Sequence, residues 1–366
     1  MTPHSRRVVV ALSGGVDSSV AAALLVENGC NVIGVTLRLH SCDDETVASL
    51  SCGSAAQTRA SAVACVLGIP HYVVDCRQQF LDIVLRYGWR EYSRGRTPNP
   101  CVICNERIKF GFLLEVARSM GATQIATGHY VRKEADRDGQ LFLRRGLDQG
   151  KDQSYFLFSL SGRQLAAALF PLGPFTKIQI REKARSLGLQ NADVAESQDA
   201  CFSGDGNAFA ESLRQRFQGL AQAGKVVDGE GKVLGRHEGF HRFTVGQRRG
   251  LGIALGRKAW VKEIDPANAG VILTLDESEL FAKGLIASGV RWHHPITDLS
   301  PIYCAVQVRY RHEATPAKVE HLEAASVRVT FNRPVRAVTP GQAAVFYDGD
   351  RLLGGGWIER SFRGFR

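Results

Sequence analysis

A short turn at residues 13–19, Ser-Gly-Gly-Val-Asp-Ser-Ser, constrains the fold more than any other feature of the chain. It follows a β-branched run at 6–12 that is typical of a buried strand. It also opens an alanine-rich segment at 17–28, which predicts a helix that ends before Gly29. A strand that passes through a tight glycine turn into a helix is the first half of a βαβ unit. The sequence therefore favours an α/β fold built on a parallel sheet.

The remainder of the first half continues this alternation. Further strands are predicted at 31–39, 71–75 and 124–130, and further helices at 55–67 and 105–120. Strands that alternate with helices pair in parallel, because each crossover helix returns the chain to the same end of the sheet. We therefore predict one α/β domain over residues 1–205.

The pattern changes after this point to glycine-rich turns and short strands. Alternating apolar and polar residues predict strands at 303–310, 326–331 and 351–360, with turn residues between them. Such spacing is typical of a small β-barrel or sandwich, and we predict a β-barrel-like C-terminal domain over 285–366. Residues 206–284 are assigned to a small central domain.

The net charge is +10, and the excess of basic residues is uneven. Residues 1–205 hold 23 Lys and Arg against 20 Asp and Glu, whereas residues 206–366 hold 23 against 16. A basic second half suits a polyanion such as RNA, although a basic surface that serves only solubility would have the same composition. No apolar run reaches the roughly 18–20 residues of a membrane span, and the N-terminus lacks a signal-peptide pattern, so a cytoplasmic protein without a membrane partner is expected.

The turn at 13–19 has the composition of an anion-binding loop. Its glycines let backbone N–H groups approach a phosphate closely, and the N-terminus of the following helix adds donors and the positive end of a dipole. Hydroxyls of Ser13, Ser18 and Ser19 add donors, whereas Asp17 is expected to act through magnesium or as a helix cap. Neither a Walker A motif nor G-x-G-x-x-G is present. A plain glycine turn capped by serine is the alternative.

Three of the nine cysteines stand in patterns that suggest chemistry. Cys101 and Cys104 form a C-x-x-C between a proline-rich turn and a predicted helix, whose N-terminus favours thiolates. Cys201 lies in the segment Glu-Ser-Gln-Asp-Ala-Cys-Phe. A zinc site is disfavoured because a fourth ligand is missing. Three interpretations stay open: a three-cysteine iron–sulfur cluster, thiols that transfer sulfur by persulfide exchange, and buried cysteines without a chemical role.

The full turn between strand and helix resembles the PP-loop of the ATP pyrophosphatases, and further motifs extend the resemblance. In order, the motifs are SGGVDSS, GRTPNPC-x-x-CN-x-x-IKF, ATGHY, KDQSYFL, SQD-x-CF and FTVGQRRGL. Together they are similar to those of the tRNA-specific 2-thiouridylases, the MnmA family, from about residue 8 to the C-terminal GGGWI. The resemblance implies an N-terminal HUP-like PP-loop domain that uses ATP with magnesium, and a tRNA partner.

The resemblance also implies a reaction. ATP would adenylate the C2 oxygen of the wobble uridine at tRNA position 34, and sulfur would replace that oxygen to give 2-thiouridine, AMP and pyrophosphate. Cys104 would be the nucleophile, and Cys201 would carry persulfide sulfur from a donor protein. The implied substrates are the tRNAs for Glu, Gln and Lys. The isoacceptors within these groups, the identity of the donor and the oligomeric state stay open.

One position departs from the family pattern. Many members have Asp where this chain has Cys101, and that Asp is proposed to assist as a general acid or base. A thiol is a poorer proton shuttle near pH 7, so Cys101 is assigned only an auxiliary role. The change also gives three cysteines, as in related thiolation enzymes with a [4Fe–4S] cluster, whose ligands here would be Cys101, Cys104 and Cys201. Sulfur transfer through a persulfide is the preferred interpretation, and the iron–sulfur cluster is the alternative.

The resemblance assigns two sets of binding residues. The ATP-binding set comprises Ala11, Leu12, Ser13, Gly14, Gly15, Val16, Asp17, Ser18, Leu37 and Gly128. The tRNA-binding set comprises Asn99, Pro100, Cys101, His129, Lys151, Asp152, Gln153, Arg309, Tyr310 and Gln342. Of these, Asn99, Pro100 and Cys101 would line the target uridine, which has to leave the base stack before its C2 can be reached. Without the resemblance, His129 at a strand end would be a structural hydrogen-bonding residue.

Other features of the chain fit this interpretation, and other classes of protein explain fewer of its features. Arg242, Arg248 and Arg249 lie in a basic, glycine-rich run at 242–252 and suit phosphate contacts from a central domain that contacts tRNA, with a solvated basic turn as the alternative. An ATP-dependent amidating ligase would explain the PP-loop, but neither the cysteines nor the basic second half. A non-enzymatic RNA-binding module would explain the charge and leave the loop without a role.

Overall fold

The computed structural model describes residues 6–40, 54–194, 206–294 and 300–363. The chain forms two compact units, each made of segments that are distant in sequence. Unit 1 comprises Met1–Ile83, Cys101–Ser203 and Asp350–Leu352, and unit 2 comprises Val84–Pro100, Gly204–Gly349 and Leu353–Arg366. Within the described ranges, no helix combines the length and the apolar character needed to cross a membrane.

Unit 1 contains a five-stranded parallel sheet, so the predicted α/β fold is confirmed. Its strands are β1 (Arg7–Ala11), β2 (Asn31–Arg38), β3 (His71–Asp75), β4 (Gln124–Ala126) and β7 (Ala168–Leu169), in the order β3-β2-β1-β4-β7. All neighbouring pairs are parallel: Val8 pairs with Val32 on one side and with Gln124 on the other. The strand predicted at 124–130 is shorter than expected, because the chain leaves the sheet after Ala126.

The helices of unit 1 cover the sheet. They are α1 (Val16–Glu27), α2 (Ser54–Leu67), α3 (Arg77–Phe80), α6 (Leu113–Ser119), α7 (Gly162–Ala167) and α8 (Lys177–Ser186), together with α5 (Pro100–Ile103), whose first residue belongs to unit 2. Helix α1 is buried on two sides: Ala22 and Leu25 join the core of the strands, whereas Val20 and Ala21 join a core with Ile180 of α8. This double burial explains why α1 is apolar around most of its circumference.

A hairpin that the sequence analysis missed completes unit 1. Strands β5 (Val131–Ala135) and β6 (Leu141–Arg145) are antiparallel, and residues 351–352 pair with β6. The hairpin is rich in charged residues, so its alternation of apolar and polar positions is not recognisable in the sequence. Those charges are paired in the fold, since Asp350 accepts hydrogen bonds from both Arg132 and Arg144.

The first part of unit 2 joins two helices to a small sheet. Helices α4 (Arg86–Tyr92) and α9 (Gly206–Arg216) pack together, with the rings of Tyr92 and Phe209 edge to face at 6.2 Å. Four strands, β8 (Gly224–Val227), β9 (Val233–His237), β10 (Trp260–Asp265) and β11 (Gly270–Thr274), form a sheet in the order β10-β11-β8-β9. Its core includes Val226, Phe243 and Val261.

The second part of unit 2 is an antiparallel β-barrel. Its strands are β12 (Phe281–Trp292), β13 (Ile302–Gln307), β14 (Thr315–His321), β15 (Val327–Arg336), β16 (Ala343–Asp348) and the unit 2 part of β17 (Arg351–Phe362). The order is β12-β15-β14-β13-β16-β17, and β12 also pairs with β17, which closes the ring. Buried residues such as Leu285, Val319, Val329 and Phe346 fill it. The predicted C-terminal β-barrel is confirmed.

Candidate active site

The SGGVDSS turn lies at the part of the sheet where ligands of open α/β folds bind. Its strand, β1, lies between β2 and β4, and the turn therefore sits at the edge where all three parallel strands end. Its entry is tied to β2, because the Leu12 N–H donates to the Val35 carbonyl (2.9 Å) and the Thr36 hydroxyl donates to the Leu12 carbonyl (2.7 Å). Leu37 near the end of β2 and Gly128 beyond β4 thus flank the turn, and their ATP contacts stay predictions.

Two glycines bring backbone segments closer together than a side chain would permit. Gly14 has a φ of +74°, and a Cβ there would lie 2.3 Å from the carbonyl oxygen of Ala56. A Cβ at Gly128 would lie 2.8 Å from the backbone nitrogen of Ser18. The loop after β4 therefore packs directly on the first turn of α1, and Gly128 has a structural reason to be glycine besides the predicted ATP contact.

Serine hydroxyls brace the turn from the inside. Those of Ser18 and Ser19 both donate to the Gly15 carbonyl at 3.0 Å, and the Ser18 Oγ accepts from the Ser13 N–H at 3.1 Å. Gly15 is the N-cap residue of α1, and no side chain in the described part of the chain caps the helix there. The N–H groups of the first turn of α1 are therefore oriented as donors toward an anion.

Asp17 accepts two hydrogen bonds that the sequence did not predict. Its Oδ1 accepts hydrogen bonds from the Tyr130 hydroxyl and from Lys177 Nζ, both at 2.7 Å. The Lys177 side chain is only 9% exposed, so its charge is directed at the carboxylate rather than at bulk water. This ammonium compensates a carboxylate that would otherwise repel a phosphate. The expected capping role of Asp17 is not observed, because Gly15 is the N-cap residue.

Lys177 is positioned by the start of α8. A reciprocal capping box between Thr176 and Gln179 fixes where this helix begins, and the Lys177 N–H donates to Asp148 at 2.9 Å. The T-x-x-Q pattern is a sequence signal that could have located α8. The pairing of Lys177 with Asp17, 160 residues away in the chain, has no such signal.

The two described thiols of the candidate trio lie on one helical stretch. Pro100 is the first residue of α5, a position where its missing N–H leaves no helical bond unmade. Cys101 follows it and is half-buried, whereas Cys104, one turn later, is 7% exposed. The predicted place of both thiols at the entry of a helix is confirmed. Cys201 lies outside the described residues.

The helix after Cys104 is π-helical, which the sequence analysis did not predict. The stretch Cys104–Phe112 leaves α-helical geometry, and Gln164 donates to two of its carbonyls, those of Glu106 (2.7 Å) and Phe110 (3.1 Å). A side chain from outside the helix thus donates to carbonyls of this stretch. π-Helical insertions within α-helices are frequent at functional sites.

His129 is buried in an aromatic environment. Its ring lies 6.2 Å from that of Phe110 and 6.3 Å from that of Phe170, and its Nδ1 shares a hydrogen bond of 2.7 Å with the Thr127 hydroxyl. Burial lowers the pKa of His129 well below its ordinary value, and the positive charge of Lys109 acts in the same direction. The imidazole is therefore neutral at pH 7 and is held in a fixed orientation.

Two of the three predicted tRNA-binding residues at 151–153 are engaged inside unit 1. The buried carboxylate of Asp152 accepts from Arg145, from the Gly146 N–H, and from both the N–H and the hydroxyl of Ser154, at 2.8–3.1 Å. Gln153 accepts from the backbone N–H of Tyr130 at 3.2 Å. Asp152 and Gln153 therefore fix the shape of the loop that contains Lys151.

The predicted tRNA-binding residues of unit 2 differ in exposure. Arg309 is exposed and Tyr310 is half-buried in the turn that follows β13, where the Arg311 guanidinium lies 5.4 Å from the centre of the Tyr310 ring. Asn99 is buried, and the Gln342 side chain bonds to backbone carbonyls of the loop before Asn99. The exposed turn is thus suited to RNA contact, and the Gln342 amide nitrogen is bonded within unit 2.

The arginines of the basic run at 242–252 also differ in exposure. Arg248 and Arg249 are exposed. Arg242 instead forms ion pairs with Glu211 (3.2 Å) and Glu238 (2.8 Å). Arg242 therefore stabilises the central part of unit 2, and Arg248 and Arg249 are the arginines of this run that are available to a phosphate.

Comparisons with known proteins match the chain along nearly its whole length. Three protein families match in order: the tRNA methyl transferase HUP domain over 6–205, the tRNA methyl transferase PRC-barrel domain over 213–274, and the aminomethyltransferase beta-barrel domain over 282–358. They agree with the predicted fold class.

Curated relatives extend this similarity. The tRNA-specific 2-thiouridylase MnmA of Geobacter metallireducens is 46% identical over 365 residues, 98% of each chain. That of Geotalea uraniireducens is 45% identical over 97% of this chain and 96% of its own. That of Carboxydothermus hydrogenoformans is 45% identical over 97% of this chain and 98% of its own.

Proposed function

The chain belongs to the family of tRNA-specific 2-thiouridylases, and from that premise we propose that it exchanges the C2 oxygen of the wobble uridine at tRNA position 34 for sulfur. ATP is consumed to AMP and pyrophosphate. The tRNAs for Glu, Gln and Lys are the proposed substrates, and a protein that carries a persulfide is the proposed sulfur donor. The observation that carries the proposal is the anion-binding geometry of the turn at 13–19, with its carboxylate compensated by Lys177.

The turn supports the activation step. A carbonyl oxygen is a poor leaving group, so it is first esterified: the uridine O2 attacks the α-phosphorus of ATP, and pyrophosphate leaves. One P–O bond forms and one breaks. The N–H groups at the start of α1 hold the phosphates while charge develops on them, and Lys177 prevents Asp17 from opposing that charge. When bound with ATP, magnesium would neutralise charge on the pyrophosphate leaving group.

Cys104 and Cys201 are proposed to deliver the sulfur. The Cys104 thiolate attacks the Sγ of a Cys201 persulfide, which closes a Cys104–Cys201 disulfide and releases the outer sulfur as sulfide with the two electrons. Sulfide attacks the adenylated C2, and AMP leaves with the original oxygen. In the alternative order, the persulfide attacks C2 first and Cys104 then cleaves the S–S bond. Both orders end in the same disulfide, so an external dithiol reduces the enzyme after each turnover.

Cys101 distinguishes the proposed relay from its alternative. In the relay it is an auxiliary thiol, half-buried at the start of α5. A [4Fe–4S] cluster on Cys101, Cys104 and Cys201 is the alternative, because the chain has a thiol where many family members have Asp. Thiolates suit such a cluster. The relay is preferred, because every other motif follows the persulfide family.

The RNA is proposed to bind through exposed basic and aromatic side chains of unit 2. Arg248 and Arg249 contact phosphates, and Arg309 and Tyr310 contact the tRNA from the turn after β13. In unit 1, Lys151 contacts the tRNA from the loop that Asp152 and Gln153 hold in shape. His129, which is buried and neutral, supports the position of the target base without transferring a proton.

The proposed function is tested by reconstitution. The purified chain is incubated with unmodified tRNA for Glu, magnesium–ATP, a dithiol and a persulfide donor, and 2-thiouridine and AMP are quantified. We expect one AMP for each 2-thiouridine, and neither product without tRNA. Cys104→Ser and Cys201→Ser should form no 2-thiouridine yet still release pyrophosphate in the presence of tRNA. AMP formation that depends on ammonia and a small carboxylate, and not on tRNA, would instead indicate an amidating ligase.

A further inference from the structure

The carboxamide of Asn191 reaches the turn at 13–19 from a segment that is distant in the chain. Its Nδ2 donates to the Gly14 carbonyl at 3.0 Å and to the Ser19 Oγ at 2.9 Å. A carboxamide nitrogen has two N–H bonds, so both are used on the turn. The Ser19 hydroxyl in turn donates to the Gly15 carbonyl at 3.0 Å. Asn191 therefore acts on the carbonyl groups of both glycines, directly on the first and through Ser19 on the second.

The peptide between Gly14 and Gly15 needs such support. Neither residue has a Cβ, so side-chain clashes do not fix the rotation of this peptide plane. The peptide is trans, and its C=O and N–H point in opposite directions, so donors on the Gly14 carbonyl also set the direction of the Gly15 N–H. Two donors reach that carbonyl, Asn191 Nδ2 and Arg59 Nε (3.3 Å). The Gly15 N–H itself donates to the Ser13 Oγ at the long distance of 3.4 Å, which leaves it available to a stronger acceptor.

The position of Asn191 is fixed by the residues on either side of it. Leu189 and Ala192 are buried in the core that α1 shares with α8. The Val194 N–H donates to the Asn191 carbonyl at 3.3 Å, and Asn191 itself is only 1% exposed. The carboxamide is thus placed by packing against α1, and it does not adjust freely in water.

The oxygen of the same carboxamide is buried and accepts no hydrogen bond from the described part of the chain. A buried acceptor without a donor destabilises a fold, and an apolar side chain of similar size would avoid that cost. The two hydrogen bonds to the turn are therefore what an asparagine contributes at this position and a leucine would not.

We propose that Asn191 is a positioning residue for the ATP-dependent step, which directs the Gly15 N–H toward the nucleotide phosphates. This inference rests on the proposed function, in which the turn at 13–19 binds ATP. Asn191 also stands ten positions before Cys201, the proposed persulfide carrier, so a role in placing that cysteine is the competing explanation. The two roles concern different steps, because phosphate binding precedes pyrophosphate release and the persulfide is needed only afterwards.

The first test uses two variants of Asn191 that lack its donors. Asn191→Asp keeps the shape of the side chain and replaces the nitrogen with an oxygen, which the Gly14 carbonyl repels. Asn191→Leu has a similar size and no charge. We expect tRNA-dependent pyrophosphate release at saturating ATP to fall about 10- to 100-fold in both, because a misdirected donor no longer matches the phosphate. A rate close to that of wild type in either folded variant would overturn the proposal.

The two products separate an effect on the turn from an effect on Cys201. If Asn191 acts on the turn, pyrophosphate release and 2-thiouridine formation should fall together. If it acts on Cys201, only 2-thiouridine should be lost, as expected for Cys201→Ser, and the proposal would be wrong. Asp193→Ala is the matched control: Asp193 lies in the same segment, but its exposed carboxylate pairs with Arg185, so both products should be unchanged. An equal loss in this control would show a general effect of the segment and would also contradict the proposal.

Nucleotide binding tests the inference without turnover. Full-length wild type, Asn191→Leu and Asp193→Ala are titrated calorimetrically with magnesium and α,β-methylene ATP, which cannot release pyrophosphate. We expect the Kd to rise about 10-fold in Asn191→Leu and to stay unchanged in the control, at equal melting temperature. The same Kd in both variants would overturn the inference. If wild type binds the analogue yet makes no 2-thiouridine, the proposed function fails, while the comparison of Kd values still decides the role of Asn191.

Discussion

The turn at 13–19 in unit 1 and the basic run at 242–252 in unit 2 are both proposed to bind phosphate, but they are built in opposite ways. In the turn, the hydroxyls of Ser18 and Ser19 and the charge of Lys177 are directed inward, so that backbone N–H groups face the ligand. In the basic run, Arg248 and Arg249 are exposed, and each presents its own charge. One site depends on the shape of the backbone and the other on separate side chains.

This difference predicts different responses to substitution. A site made of closely packed backbone is sensitive to one added carbon atom, and salt has little effect on its internal contacts. A site made of exposed charges loses affinity in small, roughly additive steps, and salt screens each of them. Three of the following substitutions test this contrast and a fourth tests Cys101, in order from the largest expected effect to the smallest.

Gly128→Ala should have the largest effect. The added Cβ would lie 2.8 Å from the Ser18 nitrogen, and it would push the first turn of α1 away from its phosphate-binding position. We expect tRNA-dependent pyrophosphate release to fall at least about 100-fold, because the donors are then misplaced. The Kd for tRNA, whose proposed contacts lie mostly in unit 2, should change less than about threefold.

The matched control for this prediction is Gly162→Ala, at the first residue of α7. An added Cβ at Gly162 meets no atom within 4 Å, so activity should be unchanged. Circular dichroism and thermal melting of both variants separate a local displacement from unfolding. If Gly128→Ala keeps more than a tenth of wild-type pyrophosphate release, the backbone contact is not needed and the contrast between the two sites fails.

Lys177→Met should have the next largest effect. It leaves the Asp17 carboxylate without its ammonium, and unit charges about 4 Å apart interact by about 4 kcal/mol at an effective dielectric constant of about 20. If only half of this interaction energy is lost, kcat/KM for ATP should fall about 10- to 100-fold. Lys183→Met is the control, because Lys183 lies on the same helix and pairs with Glu27, away from the turn.

The double variant Asp17→Asn/Lys177→Met tests the cause of that loss. If Lys177 acts by compensating the carboxylate, removing both charges should restore part of the kcat/KM for ATP relative to Lys177→Met alone. A double variant no better than Lys177→Met would show that Asp17 or Lys177 has its own contact with the nucleotide. The charge-compensation argument would then be wrong.

Neutralising Arg248 and Arg249 should have a moderate effect that depends on salt. If both contact phosphates, the plot of log affinity for tRNA against log salt should become shallower by about 1 per residue in the Gln variants. Arg242→Gln is the informative control: its guanidinium is engaged with Glu211 and Glu238, so the slope should not change. An unchanged slope in the double Arg248→Gln/Arg249→Gln variant would exclude RNA contact by this run.

The sequence was sufficient for the parts of the fold whose residues are close together in the chain. A buried strand is predicted by composition alone at Val8, Val9 and Val10. The glycine turn that follows indicates the βαβ arrangement. The β5–β6 hairpin was missed because its polar face carries charges that are neutralised by Asp350, more than 200 residues away. A local pattern cannot show a charge that is paired at such a distance.

The same limit applies to the candidate site. The turn at 13–19 was recognisable, but Lys177 was not, because its role comes from packing α8 beside α1. Gln342 was assigned to tRNA by resemblance, and only the structure shows its carboxamide bonded to the backbone of Thr97 and Pro98. Sequence patterns therefore identified candidate functional residues more reliably than they identified the contacts that each residue makes.

Cys101→Asp should have the smallest effect, and it tests the auxiliary thiol at the start of α5. In the persulfide relay Cys101 is not a sulfur carrier, and Asp restores the residue that many family members have. Iron-free Cys101→Asp, given a persulfide donor, should therefore thiolate tRNA within about fivefold of iron-free wild type. Cys65→Asp, at an exposed cysteine of α2, controls for the loss of a thiol elsewhere.

The cluster mechanism predicts the opposite pattern for the same proteins. If Cys101 ligates iron, iron-free wild type should be inactive, and reconstitution with iron and sulfide should restore it. Cys101→Asp should then hold the cluster poorly, since thiolate is the softer and better ligand for iron–sulfur clusters. Activity in both iron-free proteins supports the relay, whereas activity in reconstituted wild type alone would replace it. We expect the relay, because it assigns Cys101 only an auxiliary role. An Asp at the same position can also fill that role.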